Sequence, residues 1–177
     1  MNKKFVKTVL NIYSTVRLLI EPIMFKKFSQ KIEYNERDWN YAKSLPINEF
    51  SKYINSFDYL SDKMSGLFDI SFPVDSPSYF FSPIEWGRDC DDFARIWAIY
   101  LREQGWEEIT EVIITNFEQP FAKAHIETVA KNQNKYYLFN YEMYGPFNSF
   151  EEAVLYNTAW ASYPEENLVW KKYRKYN

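Results

Sequence analysis

Cys90 and His125 are the only cysteine and the only histidine in this 177-residue chain. A thiol beside an imidazole can carry out acyl transfer: the sulfur attacks a carbonyl carbon while the ring takes and later returns a proton. Holding one of each residue narrows the chemistry. One cysteine forms no intramolecular disulfide and no multi-cysteine zinc site, and one histidine rules out H-E-x-x-H and similar paired-histidine metal motifs. A lone cysteine is often just a small buried hydrophobe, so its setting must decide what it does.

That setting reads as the start of a helix. Asp89 suits an N-cap, Asp92 stands where a capping-box acid would, and Ala94, Trp97, Ala98 and Leu101 continue one apolar face. Gly105 suits the C-terminal cap, giving a helix over Asp89–Gln104. Cys90 would be the first residue inside it. The free backbone N–H groups and positive dipole end there favour a thiolate, and could also hold an oxyanion. Asp89, Asp91 and Asp92 oppose this by crowding the sulfur with negative charge. Reactivity of Cys90 should therefore depend on His125.

Three strands are expected next, at 111–115, 124–130 and 136–141, the last two joined by the polar turn Lys131-Asn132-Gln133-Asn134-Lys135. A turn centred on Asn132-Gln133 sets His125 directly opposite Asn140, within cross-strand contact. An amide there can fix the imidazole tautomer and leave the other ring nitrogen free for the thiol proton. Tyr144 to Asn148 reads as a loop, and Ser149 with Glu152 as a capping box opening a final helix.

The rest of the chain must position these residues. Residues 3–20 form a helical pattern through Phe5, Val9, Ile12, Val16 and Leu19, with Pro22 discouraging continuation. This basic N-terminal segment, residues 1–32, either packs on its own domain or docks on a membrane surface or a partner. Residues 33–68 read as mostly helical, with Pro46 near the start of a segment, and 69–85 as an extended, proline-broken, aromatic lead-in. Residues 33–177 then form the main domain. The order of elements predicts an α+β fold in which the cysteine-bearing helix packs on an antiparallel sheet, with extra helices at the N-terminus.

Composition agrees with a globular chain: 46% hydrophobic, 25% charged and 20% aromatic. The net charge of −3 hides a basic N-terminal segment and a basic end (Lys171, Lys172, Arg174, Lys175) around an acidic body. An acidic body argues against nucleic-acid binding. The basic ends could touch an acidic surface or that same body. With no convincing secretory leader and no apolar run of membrane-spanning length, the expected compartment is the cytoplasm. The sequence leaves oligomeric state open.

The stretch Gly87-Arg88-Asp89-Cys90-Asp91-Asp92-Phe93-Ala94 resembles the G-D-C-D-D-[FY]-A signature of bacterial transglutaminase-like cysteine proteinases, with Arg88 inserted between Gly and Asp. Ala124-His125-Ile126 is similar to the family's histidine strand, and Tyr136 to Asn140 to the strand that ends in its acid or amide. The resemblance spans about residues 80 to 145 and leaves 1–70 unmatched. It implies a papain-like core with Cys90 as nucleophile, His125 as base, Asn140 as orienter, no cofactor, and a protein or peptide substrate. Asn140 departs from the Asp of many transglutaminases and cannot stabilise imidazolium by charge. Trp86 is the candidate for the family's second oxyanion donor. Two other readings stand beside this one. The domain could be a catalytically silent binding module, or Asp89, Asp91 and Asp92 with Glu85 could hold a hard cation, although helix capping accounts for them and their spacing is not that of an EF-hand.

Overall fold

The computed structural model describes residues 2–28, 36–59, 71–81, 88–116, 118, 124–156 and 165–176. Its helices are α1 (Lys3–Phe28), α2 (Glu36–Ala42), α3 (Ile47–Ile54), α4 (Cys90–Glu103) and α5 (Phe150–Leu155). Its strands are β1 (Glu107–Asn116), β2 (His125–Asn132), β3 (Lys135–Phe139), β4 (Met143–Phe147) and β5 (Leu168–Lys175). The strands form one antiparallel sheet in the order β4-β3-β2-β1-β5. The fold is α+β.

The sheet's two faces carry different helices. Toward α4 and α1, Ile113, Ile126, Val169 and Tyr173 pack with Ala94, Val6 and Leu10. Toward α5, Val112, Ile114, Val129 and Leu138 pack with Ala153 and Val154. This is the period-two alternation of a sheet covered on both sides. The largest cluster surrounds α4 and is mostly aromatic. Phe50 stacks on Tyr100 at 3.8 Å and meets the edge of Trp97 at 4.9 Å, while Trp97 lies 4.9 Å from Phe139. Tyr100 donates to the Leu45 carbonyl at 2.7 Å, which ties the α2–α3 connection to α4.

Several elements differ from the sequence reading. Helix α1 runs through Pro22 to Phe28. It also packs through the face opposite the apolar stripe: Val6, Leu10, Ser14, Arg17 and Glu21 are buried, while Phe5, Ile12, Val16 and Leu19 are exposed. The expected loop at Tyr144 to Asn148 lies mostly in β4. The basic end is β5, paired to β1 with Ile113 opposite Lys171. Residues 77–81 form a 3₁₀ turn within the expected extended lead-in. The α5 start is as read, with the Ser149 hydroxyl accepting from the Glu152 N–H at 3.1 Å.

The hairpin between β2 and β3 is displaced by one residue from expectation. Its turn is centred on Gln133 and Asn134, both at positive φ (49° and 60°), the backbone of a tight I′-like connection. Thr128 therefore pairs with Phe139 and Val129 with Leu138. Asn140 is not directly opposite His125. Extending the register sets it opposite Glu127, one diagonal step away, still within reach of a long side chain.

Candidate active site

The site starts from the way α4 begins. Asp89 is extended (φ −112°, ψ −162°) and its carboxylate accepts from the Asp91 N–H, so Cys90 is the first helical residue. Arg88, just before the cap, donates to the Phe80 carbonyl at 2.5 Å. One turn further, the Ala94 carbonyl accepts from the Thr128 hydroxyl at 2.6 Å, which fixes α4 against β2. Cys90 is partly exposed at this helix end, while Ala94, Trp97 and Leu101 below it are fully buried.

One of the acids crowding Cys90 is held in an ion pair. Asp91 is buried and bonded to the guanidinium of Arg17 from α1. Burial pushes its carboxyl up, but Arg17, hydrogen bonding that involves Asp89 and the charge of Arg95 outweigh this and hold it below its usual value. Arg17 is a contributor the sequence reading missed. The available signal was a single charge between residues 8 and 20 of an otherwise uncharged helical stretch.

His125 opens β2, and Asn140 follows the end of β3. The Asn140 amide nitrogen lies 2.8 Å from His125 Nε2. Among the described residues, the amide oxygen of Asn140 is buried without a partner. The oxygen and nitrogen of an amide are assigned from their contacts. Turning the amide over lets that oxygen accept from Nε2–H and sets the amide N–H2 in its buried place. In that orientation the imidazole carries its proton on Nε2, and Nδ1 is left to accept one.

Pleat alternation puts a condition on how a thiol reaches Nδ1. His125 shares the parity of Val129, which packs toward α5, whereas Ile126 and Thr128 face α1 and α4. The imidazole meets a group on α4 only around the end of the sheet, where β2 begins. The start of α4 lies near that end. The charge of Asp91 acts on His125 there, and Tyr141, next to Asn140, is raised by burial, by Tyr59 and by Cys90. The Tyr141 ring also packs 5.1 Å from Phe93. The structure thus brings His125 and Asn140 into contact and sets Cys90 at the neighbouring helix end. Trp86 and Glu85 lie outside the described residues.

Burial lowers the His125 pKa to about 4, partly opposed by Asn140 and Asp91. The ring is then neutral at physiological pH, the state a general base needs. A consequence for stability follows. The unfolded chain binds this proton below pH 6.5 and the folded chain only near 4, so stability is full above pH 6.5 and falls as pH drops toward 4. The loss is up to about 3 kcal/mol. Urea midpoints measured across this window should fall in the wild type and flatten in His125→Gln. A slope unchanged by the substitution would place the titration elsewhere. Asp91 contributes only at more acid pH, because its own value is held down.

The ligand-capable atoms of Asp89, Cys90 and Asp91 lie within 4.8 Å of one another. Asp89 already accepts from the Asp91 N–H, and Asp91 holds Arg17, so a cation there would compete with a guanidinium. No helix among the described residues is long and apolar enough to cross a membrane.

No family model matches the chain, and no curated protein matches it. The arrangement is that of an α+β protein with a helix-borne cysteine and a histidine–asparagine pair at one end of an antiparallel sheet. Among solved structures, the chain is similar to Legionella pneumophila LapG. The match is at 16% identity and a TM-score of 0.40, covering 80% of this chain and 73% of that one. The EGTA-treated form of LapG matches with the same identity and TM-score over 71% of its chain.

Proposed function

We propose that this protein is a cysteine-dependent acyl-transfer enzyme with a papain-like, transglutaminase-like core, hydrolysing an amide, peptide or isopeptide bond in a protein or peptide substrate. The observation that carries the reading is the 2.8 Å contact between Asn140 and Nε2 of a neutral, half-buried His125. With the amide oxygen turned toward Nε2–H, it leaves Nδ1 as the acceptor of the thiol proton. The motif around Cys90 supplies the nucleophile at a helix N-terminus.

In this mechanism Cys90 loses its proton to His125 Nδ1 as sulfur bonds to the carbonyl carbon. The oxygen gains negative charge and is held by N–H groups at the start of α4, that of Cys90 among them. Collapse breaks the C–N bond, and the leaving nitrogen takes the proton from Nδ1. Water then gives a proton to the same ring nitrogen as its oxygen attacks the thioester, releasing the acid and restoring the thiol. An amine in place of water would give transfer instead. Asn140 holds the ring throughout. Because it carries no charge, its help to the imidazolium is limited to one hydrogen bond.

The test is alkylation of Cys90 by iodoacetamide as a function of pH, read by intact mass, in wild type and His125→Ala. The single cysteine makes the site unambiguous. The expected result is labelling well below the free-thiol pKa of about 8.5, lost in the variant. Equal labelling of the two proteins, or none before denaturation, would overturn the enzyme reading in favour of a silent binding module.

A further inference from the structure

The apolar stripe of α1 remains in solvent. Phe5, Ile12, Val16, Leu19 and Ile23 are 55%, 60%, 45%, 68% and 70% exposed. With half-buried Val9 they fall at 5, 9, 12, 16, 19 and 23, alternating steps of four and three. That is a heptad seam with a mean spacing of 3.5, the repeat that keeps one helix against another. The β-branched Val9, Val16 and Ile23 occupy one set of seam positions, and Phe5, Ile12 and Leu19 the other. Packing on the chain's own domain does not account for this repeat, because the domain is contacted by the opposite face.

We propose that α1 pairs antiparallel with α1 of a second copy of this chain, about a two-fold axis beside Ser14. Position i then meets position 28 − i. Phe5 faces Ile23, Val9 faces Leu19 and Ile12 faces Val16, so every layer joins one seam class to the other. The pairing is self-complementary, as a two-fold interface requires. Between Lys7 and Glu21 the only charged residue is Arg17, which is buried against Asp91, so nothing along the middle of the seam repels a second copy. Like charges meet at the ends in either direction: a parallel pair stacks Lys3, Lys4 and Lys7 on their copies, and the antiparallel pair sets the Lys26–Lys27 end beside the Lys3–Lys4 end, so the direction rests on the layers. A bilayer is less well matched. Lys3, which would meet a headgroup, is already bonded to the Glu166 carbonyl at 2.8 Å. Each exposed side chain offers on the order of 100 Å². Five from each copy then bury about 1,000 Å², the lower bound for a specific interface. The dimer is accordingly a weak one that forms in the micromolar range.

The experiment is sedimentation velocity of the full chain across that range. The wild type should approach twice 21.4 kDa. Ile12→Lys should weaken association about tenfold or more, and so should Val16→Glu. Both positions are exposed, and circular dichroism at low concentration should show an unchanged fold. An equimolar mixture of the two variants should recover dimer, because the introduced lysine of one meets the introduced glutamate of the other when the helices run antiparallel in this register. A monomeric wild type, a dimer indifferent to Ile12→Lys, or a mixture that stays monomeric would overturn the proposal. So would a monomer that floats with phosphatidylserine–phosphatidylcholine vesicles, which would assign the stripe to a lipid surface.

Discussion

Replacing Arg95 by methionine is expected to lower stability at neutral pH by about 3–5 kcal/mol. Arg95 is completely buried in α4 and joins three separate segments. Its Nε donates to Glu111 of β1 at 2.9 Å, one terminal nitrogen donates to Glu21 of α1 at 3.1 Å, and the other to the Phe72 carbonyl at 2.5 Å. Burial alone would lower its pKa, but Glu111 and Glu21 reverse this and raise it. Methionine fills much of the volume and supplies none of the charge. Glu21 keeps Arg174, its closer cation, whereas Glu111 loses its principal cation and keeps the Tyr176 hydroxyl and a more distant Arg174. Urea unfolding at neutral pH measures the loss. A loss below about 1 kcal/mol at neutral pH, the value of an exposed pair, would mean that water screens this network.

The second large effect is expected from Asn140→Asp. The change is nearly isosteric and puts a negative charge where an amide now meets His125 Nε2 at 2.8 Å. An opposite charge at that range should raise the imidazole pKa from about 4 by roughly 1–3 units. The single histidine makes the reading clean, since one ring gives one set of titrating nuclear magnetic resonance signals. In the proposed mechanism the same charge would stabilise the imidazolium formed as Cys90 gives up its proton. Labelling of the thiol should therefore extend to lower pH in this variant. An unmoved histidine titration would show that residue 140 does not control the ring, and Asn140 would lose its role as orienter.

How much of this was legible depends on how local each signal was. Helix α4 was legible because its cap, its apolar period and its terminal glycine all lie within 17 residues, Asp89 to Gly105. The expected opposition of His125 and Asn140 was off by one residue in the turn, and because that error moves the opposed residue by two, the two still share a face and touch. β5 was missed because four of its eight residues are Lys or Arg and read as a charged tail. Its identity as a strand comes from β1 beside it, and a pairing partner does not show in composition. The inward face of α1 was missed for a related reason. Arg17 and Glu21 look like solvent-facing residues until Asp91, Arg95 and Arg174 are placed beside them, 74 to 153 residues away. The exposed stripe gave the stronger periodic signal and pointed away from the core.

The seating of α1 on β5 bears on synthesis. The helix at residues 3–28 leaves the ribosome long before the strand at 168–175 that forms much of its seat, and the Glu21–Arg174 pair closes 153 residues of intervening chain. Closing so long a span adds little entropy beyond that of a shorter loop, but non-local pairing of this kind slows folding. Until then α1 presents Val6 and Leu10 as well as its outer stripe to the surroundings, and Arg17 can reach Asp91 only after α4 is made. The nascent chain should be a strong client for chaperones that hold exposed apolar segments. The charge balance beside Cys90, which requires α1 in place, is then completed late, after most of the chain is built.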